Sequence, residues 1–212
     1  MTKYILAHDH GTSGSKAAIV STEGEVMGFE FEEVPLILPK KGAAEQDPDD
    51  WWRAMKETIT SLLDKNLVPV DDIVAFCNTS QWSGTVPVDE DGNPLMNAII
   101  WMDSRGAPYI KKLNKGLLKV SGYNLRKMLK FIKITGGGPG LSGKDPTAHI
   151  LWIKDKKPDL YQKSHKFLEP QDYIDLKMTG EIAASTVSIQ LHWITDTRDI
   201  NNIVYHEGLI KR

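Results

Sequence analysis

Three β-rich runs fill the first 34 residues, Lys3–Asp9, Lys16–Ser21 and Glu25–Val34, and the separators between them admit only tight turns. Each run is rich in Ile, Val, Phe and Ala, side chains that suit a pleated and half-buried surface. A parallel partner needs a crossover of about a dozen residues or more. Gly11-Thr12-Ser13-Gly14 and Thr22-Glu23-Gly24 reach no further than a hairpin. The chain therefore opens on an antiparallel meander. After the loop Pro35–Ala44, a helix starts at Asp47-Pro48. Asp47 can cap free amides, and Pro48 lacks an N–H that the first turn does not use. Trp51, Trp52, Met55, Ile59, Leu62 and Leu63 follow at helical spacing, and the two tryptophans read as core or interface residues. The apolar run Asp72–Thr79 is reached through that helix, so a parallel strand is expected there.

Further along, Thr85–Val88 and Ala98–Met102 flank Asp91-Gly92, the pattern of a second hairpin. After Gly106 the periodicity turns helical over Ala107–Asn114, Gly116–Ile134, Thr147–Asp155 and Pro170–Met178, with Pro158 and Gly180 as punctuation. Gly136–Lys144 is a glycine-rich loop, and Ala183–Arg212 carries only weak periodicity, with loose order expected from Ile189 on. Strands first, then alternation, then a helical lobe describe one α/β unit of 212 residues.

Composition limits the partners. A net charge of −2, with both signs interspersed, recommends neither a nucleic acid nor an anionic membrane. The basic stretch Arg126–Lys133 spaces its lysines with apolar residues and reads as the wet face of a helix. The single cysteine, Cys77, lies in an apolar run, so a buried, inert thiol in a reducing compartment is expected. No stretch approaches the ~20 apolar residues of a membrane span, and the N-terminal run lacks a signal peptide's apolar core. These features point to a soluble cytoplasmic protein.

The strongest local signal is Asp9-His10-Gly11-Thr12-Ser13-Gly14-Ser15-Lys16, closing the first strand. Asp9 can hold a metal through water, Gly11 lets backbone amides approach an oxyanion, and Thr12, Ser13 and Lys16 can bind phosphate oxygens. A plain hairpin turn uses the same residue types. His8 and His10 flank Asp9, but adjacent strand residues point to opposite faces, which argues against a shared metal ion. Gly138–Lys144 matches the spacing of a Walker loop, yet Asp145 stands where a magnesium-binding hydroxyl is required, and the preceding segment is helical and basic.

Asp9-x-Gly11-Thr12-Ser13-x-x-Lys16 resembles the first phosphate loop of the sugar kinase, actin and heat-shock ATPase superfamily. Glu45–Trp52, Thr79–Gly84, Asp89–Leu95, Ala98–Arg105, His149–Lys154, Pro158–Tyr161, Pro170–Ile174 and Thr179–Glu181 then resemble, in order, the FGGY carbohydrate kinases and their xylulokinase-like branch. The resemblance implies a ribonuclease-H-like (actin-like) fold: a mixed sheet opening on an antiparallel meander, with flanking helices and a helical lobe. It implies that residues 1–212 are the N-terminal, sugar-binding domain of a two-domain kinase that uses ATP and Mg2+, the C-terminal ATP-binding domain being absent. Asp9 is then the magnesium residue, and Gly11, Thr12, Ser13 and Lys16 the phosphate contacts. Gln81, Trp82, Ser83, Trp101, Asp103 and Arg105 are the sugar contacts, with Arg105 equally suited to bracing Asp103. The general base is expected beyond Arg212, so none is nominated here. Trp82 and Ser83 depart from the branch, which has methionine and histidine there. The expected substrate is a ketose, first a xylulose-like pentulose, or a related polyol, and a homodimer is compatible with the chain. A stand-alone sugar-binding module and an actin-like assembly module are the competing classes. The block Gln81–Arg105 argues against the second, which has no use for a polyol pocket.

Overall fold

The computed structural model describes residues 2–211. Strands β1 (Tyr4–His10), β2 (Gly14–Ser21) and β3 (Val26–Glu33) pair antiparallel in the order of the chain. Gly14 is required where β3 crosses: a Cβ there would lie 2.2 Å from the Glu32 carbonyl oxygen. After β4 (Glu45–Gln46), helix α1 (Pro48–Asp64) begins as its sequence dictates, with the Asp47 side chain accepting from the Asp49 amide. Strand β5 (Ile73–Ser80) then enters beside β1 and parallel to it. The sheet order is therefore β3-β2-β1-β5, three antiparallel strands and one parallel. This is the mixed sheet expected from the short separators and the helical crossover.

Alternation along the strands gives the sheet two unlike faces. Leu6, Ala17 and Ile19 point toward α1 and pack with Leu62 and Val68. The opposite face carries Asp9, Lys16, Ala18 and Ala75, and no helix of the described chain covers it; Phe29 on this face is 71% exposed. Cys77 is paired with Ala7 on that same open face and is exposed, which corrects the expectation of a buried thiol. The apolar run around it belongs to an edge strand with one side uncovered.

Beyond the sheet, β6 (Val86–Val88) turns back through Asp91-Gly92 toward β7 (Ala98–Ile99), and the two arms meet at the Val88–Pro94 and Thr85–Ile99 bridges and where the Leu95 amide donates to the Pro87 carbonyl (2.9 Å). The expected second hairpin is thus present, short and irregular, and each of its strands finds a further partner. β7 pairs with β4, and β6 pairs with β10 (Lys166–Leu168), a strand that the helical spacing around it concealed. Helix α2 spans Ala107–Leu113. The expected helix over Gly116–Ile134 is split: β8 (Lys119–Val120) and β9 (Tyr123–Asn124) form a small hairpin before α3 (Leu125–Thr135). The physical reason is left-handed backbone at Ser121 and Gly122, with φ of +48° and +85°, which a helix cannot contain. Helices α4 (Pro146–Lys156), α5 (Pro158–Lys163) and α6 (Pro170–Thr179) complete the lobe. The tail, expected to be loosely ordered, forms α7 (Thr186–Gln190), β11 (Thr195–Asp196), β12 (Val204–Tyr205) and α8 (Glu207–Ile210), with Leu191, Thr195 and Leu209 buried. The main core joins α1, α6 and the β6–β7 region through Trp51, Tyr173 and Ile100. Among the described residues, no helix is long and apolar enough to cross a membrane.

Candidate active site

The turn between β1 and β2 closes on itself, with the Gly11 amide donating to the Gly14 carbonyl (2.9 Å) and the Gly14 amide donating back to Gly11 (3.3 Å). The glycine amides are thus used within the turn. The Thr12 and Ser13 amides have no hydrogen-bond partner among the described residues and remain available to an anion. Asp9 and Lys16 are direct cross-strand neighbours, 3.4 Å apart from Oδ2 to Nζ, each about half exposed at the rim of the open sheet face. His8 and His10 lie on the other, buried face, as strand alternation requires. His8 is used there, Nε2 with Ser15 Oγ at 2.7 Å and Nδ1 with Asn78 Oδ1 at 2.6 Å.

A chain of polar contacts joins this turn to the residues expected to hold sugar. Trp101 Nε1 donates to Thr12 Oγ1 (2.9 Å), and Thr12 Oγ1 donates to Gln81 Oε1 (3.2 Å). Gln81 Nε2 donates to Gln46 Oε1 (2.7 Å), which also accepts from Trp51 Nε1 (3.2 Å). Gln46 Nε2 returns to the turn by donating to the Thr12 carbonyl (2.8 Å). Burial first, then the neighbouring His8, push His10 down to about 3, so its ring is neutral and its Nε2 can accept from Gln81 Nε2 (3.4 Å). This network fixes both amide orientations, because each assigned donor meets an acceptor. It also commits the Thr12 hydroxyl proton to Gln81, leaving the Thr12 amide for ligand. Gln46, fully buried, is the hub that sequence reasoning missed; it read as a residue flanking a helix.

The remaining expected contacts fall into two groups. Trp82 (63% exposed) and Trp101 (43% exposed) present aromatic surface to solvent, and Lys144 Nζ lies 5.7 Å from the Trp101 ring centroid. Ser83 adopts a left-handed φ of +63°, and its hydroxyl donates to the Lys144 carbonyl (3.0 Å), tying the 81–84 turn to the glycine-rich loop. Asp103, by contrast, is fully buried, which corrects its expected place as a hydroxyl acceptor in the pocket wall. Its Oδ2 accepts from the Ala44 amide (2.9 Å) and Arg105 Nε (2.7 Å), and its Oδ1 accepts from the Arg105 amide (2.8 Å). Arg105 Nη2 lies 2.6 Å from Glu45 Oε1 and 2.7 Å from Asp103 Oδ2, although its N–H bonds aim squarely at neither. The guanidinium stacks 4.0 Å from the Trp152 ring centroid. Asp103 and Arg105 therefore brace one another, Ala44 and Trp152, with their polar atoms occupied inside the protein.

Residues 4–190 match the model of the FGGY family of carbohydrate kinases, N-terminal domain. The chain belongs to this family. It is 32% identical to a xylulose kinase of Bacillus subtilis over 190 residues, 85% of this chain and 34% of that one. It is 28% identical to a glycerol kinase of Thermococcus gammatolerans over 190 residues, 85% of this chain and 35% of that one. A gluconate kinase from Lactobacillus acidophilus superposes with a TM-score of 0.82 at 25% identity, covering 100% of this chain and 39% of that one. A xylulose kinase from the same organism gives 0.81 at 25% identity, covering 99% and 39%. The chain thus spans about a third of the length of these curated relatives.

Two more features of this FGGY domain went unread in its sequence. Glu169 lies behind the 81–84 turn, 3% exposed, and its Oε2 accepts from the Gly84 amide (3.0 Å). Burial first, then neighbouring Asp172 and Asp145, push its carboxyl up to about 8 against the bonds from the Gly84 and Ser83 amides. Gly84 has no room for a side chain, since a Cβ would meet Pro170 Cγ at 2.6 Å. The glycine-rich loop is no Walker loop: helix α3 precedes it, and Asp145 Oδ2 is spent on the Gly140 amide (2.6 Å).

Proposed function

We propose that this chain is the sugar-binding part of an ATP-dependent carbohydrate kinase acting on a ketose, first a xylulose-like pentulose, or on a related polyol. One observation carries the reading: Thr12 Oγ1 joins the phosphate-type turn to Trp101 and Gln81, so an anion site and an aromatic, amide-bearing wall meet at one point. A sugar lying on Trp101 and Trp82 would present a hydroxyl beside the free Thr12 and Ser13 amides. That is the juxtaposition a phosphoryl acceptor and donor need.

The donor set suits a magnesium nucleotide. Asp9 offers a half-exposed carboxylate for metal-bound water, Lys16 a cation 3.4 Å away for phosphate oxygens, and the Thr12 and Ser13 amides further donors. Magnesium held there with ATP would neutralise charge on the transferred group. Lys16 and the two amides orient its oxygens, while Trp101 and Gln81 hold the acceptor. We assign no general base to this chain: Asp9 is paired with Lys16, and Asp103 and Glu169 are buried behind the wall. That role, with most of the ATP contact, is assigned to the second lobe of a longer protein.

The test is a thermal-shift screen of this chain against xylulose, ribulose, fuculose, rhamnulose, gluconate and glycerol. A ligand at ~100 times its dissociation constant adds about 2.7 kcal/mol, several degrees for a domain of this size. A shift with one ketose that disappears in Trp101→Ala is the expected result. Equal, negligible shifts for all six would defeat the assignment of the sugar site to this half.

A further inference from the structure

Helix α4 has two working faces. His149 and Trp152 are buried toward the β6–β7 wall and Arg105. Ile150, Leu151 and Lys154 line a partly open cavity on the opposite side, of about 950 Å3, bordered by α3 and α8. Its floor is apolar, Phe131 and Leu151 among it, and its cations are Arg126, Lys127, Lys130 and Lys154, with no acidic residue in the lining. None of the four has a carboxylate within ion-pair distance among the described residues.

Three of those cationic heads are held in place. Lys127 Nζ donates to the Leu113 carbonyl (2.6 Å), Lys130 Nζ donates to the Gly208 carbonyl (3.4 Å), and Lys154 Nζ sits 5.3 Å from the Tyr161 ring centroid. The cavity is also walled by Trp193, a bulky residue at φ +53° whose ring packs against Gly137. Left-handed backbone at such a residue is rare, and strain of this kind gathers at ligand sites. Like charges lining one cavity without counter-ions repel one another, and an anion seated there relieves that repulsion. The size and mixed lining match those of small-molecule sites.

We propose that this cavity binds a small amphipathic anion, an apolar aromatic or aliphatic body on the floor with its acidic group among Lys127, Lys130 and Lys154. The site lies across α4 from the sugar wall and does not depend on the kinase reading. Anilinonaphthalene sulfonate and its uncharged analogue phenylnaphthylamine are matched probes, titrated by fluorescence into the full chain at low salt. The sulfonate should saturate a single site and bind at least about tenfold tighter than the neutral dye, a gap that narrows as salt is raised. Lys130→Glu with Lys154→Glu should weaken the sulfonate about tenfold and leave the neutral dye unchanged. The pair Lys130→Met with Lys154→Met keeps the apolar stems and should give a smaller loss of the same sign, which guards against misfolding of the charge reversal. The proposal is overturned if the methionine pair binds the sulfonate as the unmodified chain does, or if both dyes bind equally. It is overturned too if Phe29→Ser, on the open sheet face, abolishes the signal.

Discussion

Replacing Glu169 by glutamine should flatten the dependence of stability on pH. Glu169 is 3% exposed, and its carboxyl is pushed from 4.5 up to about 8, chiefly by burial and further by Asp172 and Asp145. The folded state therefore keeps a proton that the unfolded chain gives up. Stability from this group is complete below about 4.5 and is lost as pH rises toward 8. With these two values the loss between pH 5 and pH 8 is about 3 kcal/mol, since each decade of differential protonation is worth about 1.4 kcal/mol. Glutamine cannot ionise, so the variant escapes that loss. It brings its own cost, because Oε1 has no partner in the structure and an NH2 group there would carry two unpaired donors where the protonated carboxyl has one, worth about 1–3 kcal/mol at every pH. The absolute melting temperature is thus a poor readout, and the difference between variant and parent is the informative one. Thermal melts at half-unit steps from pH 5 to pH 8 should show that difference growing by about 6–12 °C in favour of the variant. A difference that stays flat across the range would show that Glu169 titrates as an ordinary carboxylate, and the burial argument would be wrong.

Arg105→Met should cost about 3–5 kcal/mol, because it strands the Asp103 carboxylate without its cation; adding Asp103→Asn should restore part of it, read from denaturant midpoints. Gln46→Leu should cost about 3 kcal/mol by leaving the Thr12 carbonyl and the Gln81 and Trp51 donors unpaired, and sugar affinity should fall with it. Cys77, exposed on the open sheet face, should react with a thiol reagent in the native chain at the rate of a model thiol; slow labelling would mean that this face is covered.

Local rules carried the fold wherever one element's own residues decide its course. The short separators gave the meander, Asp47-Pro48 set the start of α1, and the crossover made β5 parallel. Elements whose partners lie far away were less legible. β10 is three residues long and exists because Val86–Val88, some eighty positions earlier, offers it an edge. Nothing in Lys166-Phe167-Leu168 announces that, and a helix on each side made the segment look like a linker. The break before α3 was legible in principle, since Ser121-Gly122 is a turn dipeptide. The apolar spacing of Gly116–Ile134 outweighed it. Cys77 was misplaced for a related reason: an apolar run signals a strand, but not how many of its faces are covered.

The same distinction explains the site. Asp9, Thr12, Ser13 and Lys16 could be proposed from spacing because a tight turn brings them together with little help from the rest of the chain. Gln46, Ser83 and Glu169 work through partners 34 to 85 residues away, and their side-chain types are unremarkable for the elements that carry them. Asp103 shows the converse error. An aspartate beside a tryptophan at a strand end has the chemistry of a sugar contact, yet only burial tells whether its oxygens face a cleft or an arginine. Arg105, two residues on, was the available clue. A cation at that spacing can fold back on the carboxylate, and here its Nε does so at 2.7 Å while its plane covers Trp152. A carboxylate with an arginine two positions away, between an aromatic and a helix start, is therefore better read first as a brace. The neighbouring aromatic is then the better candidate for a ligand contact, and in this chain Trp101 has its polar edge tied to the β1–β2 turn through Thr12.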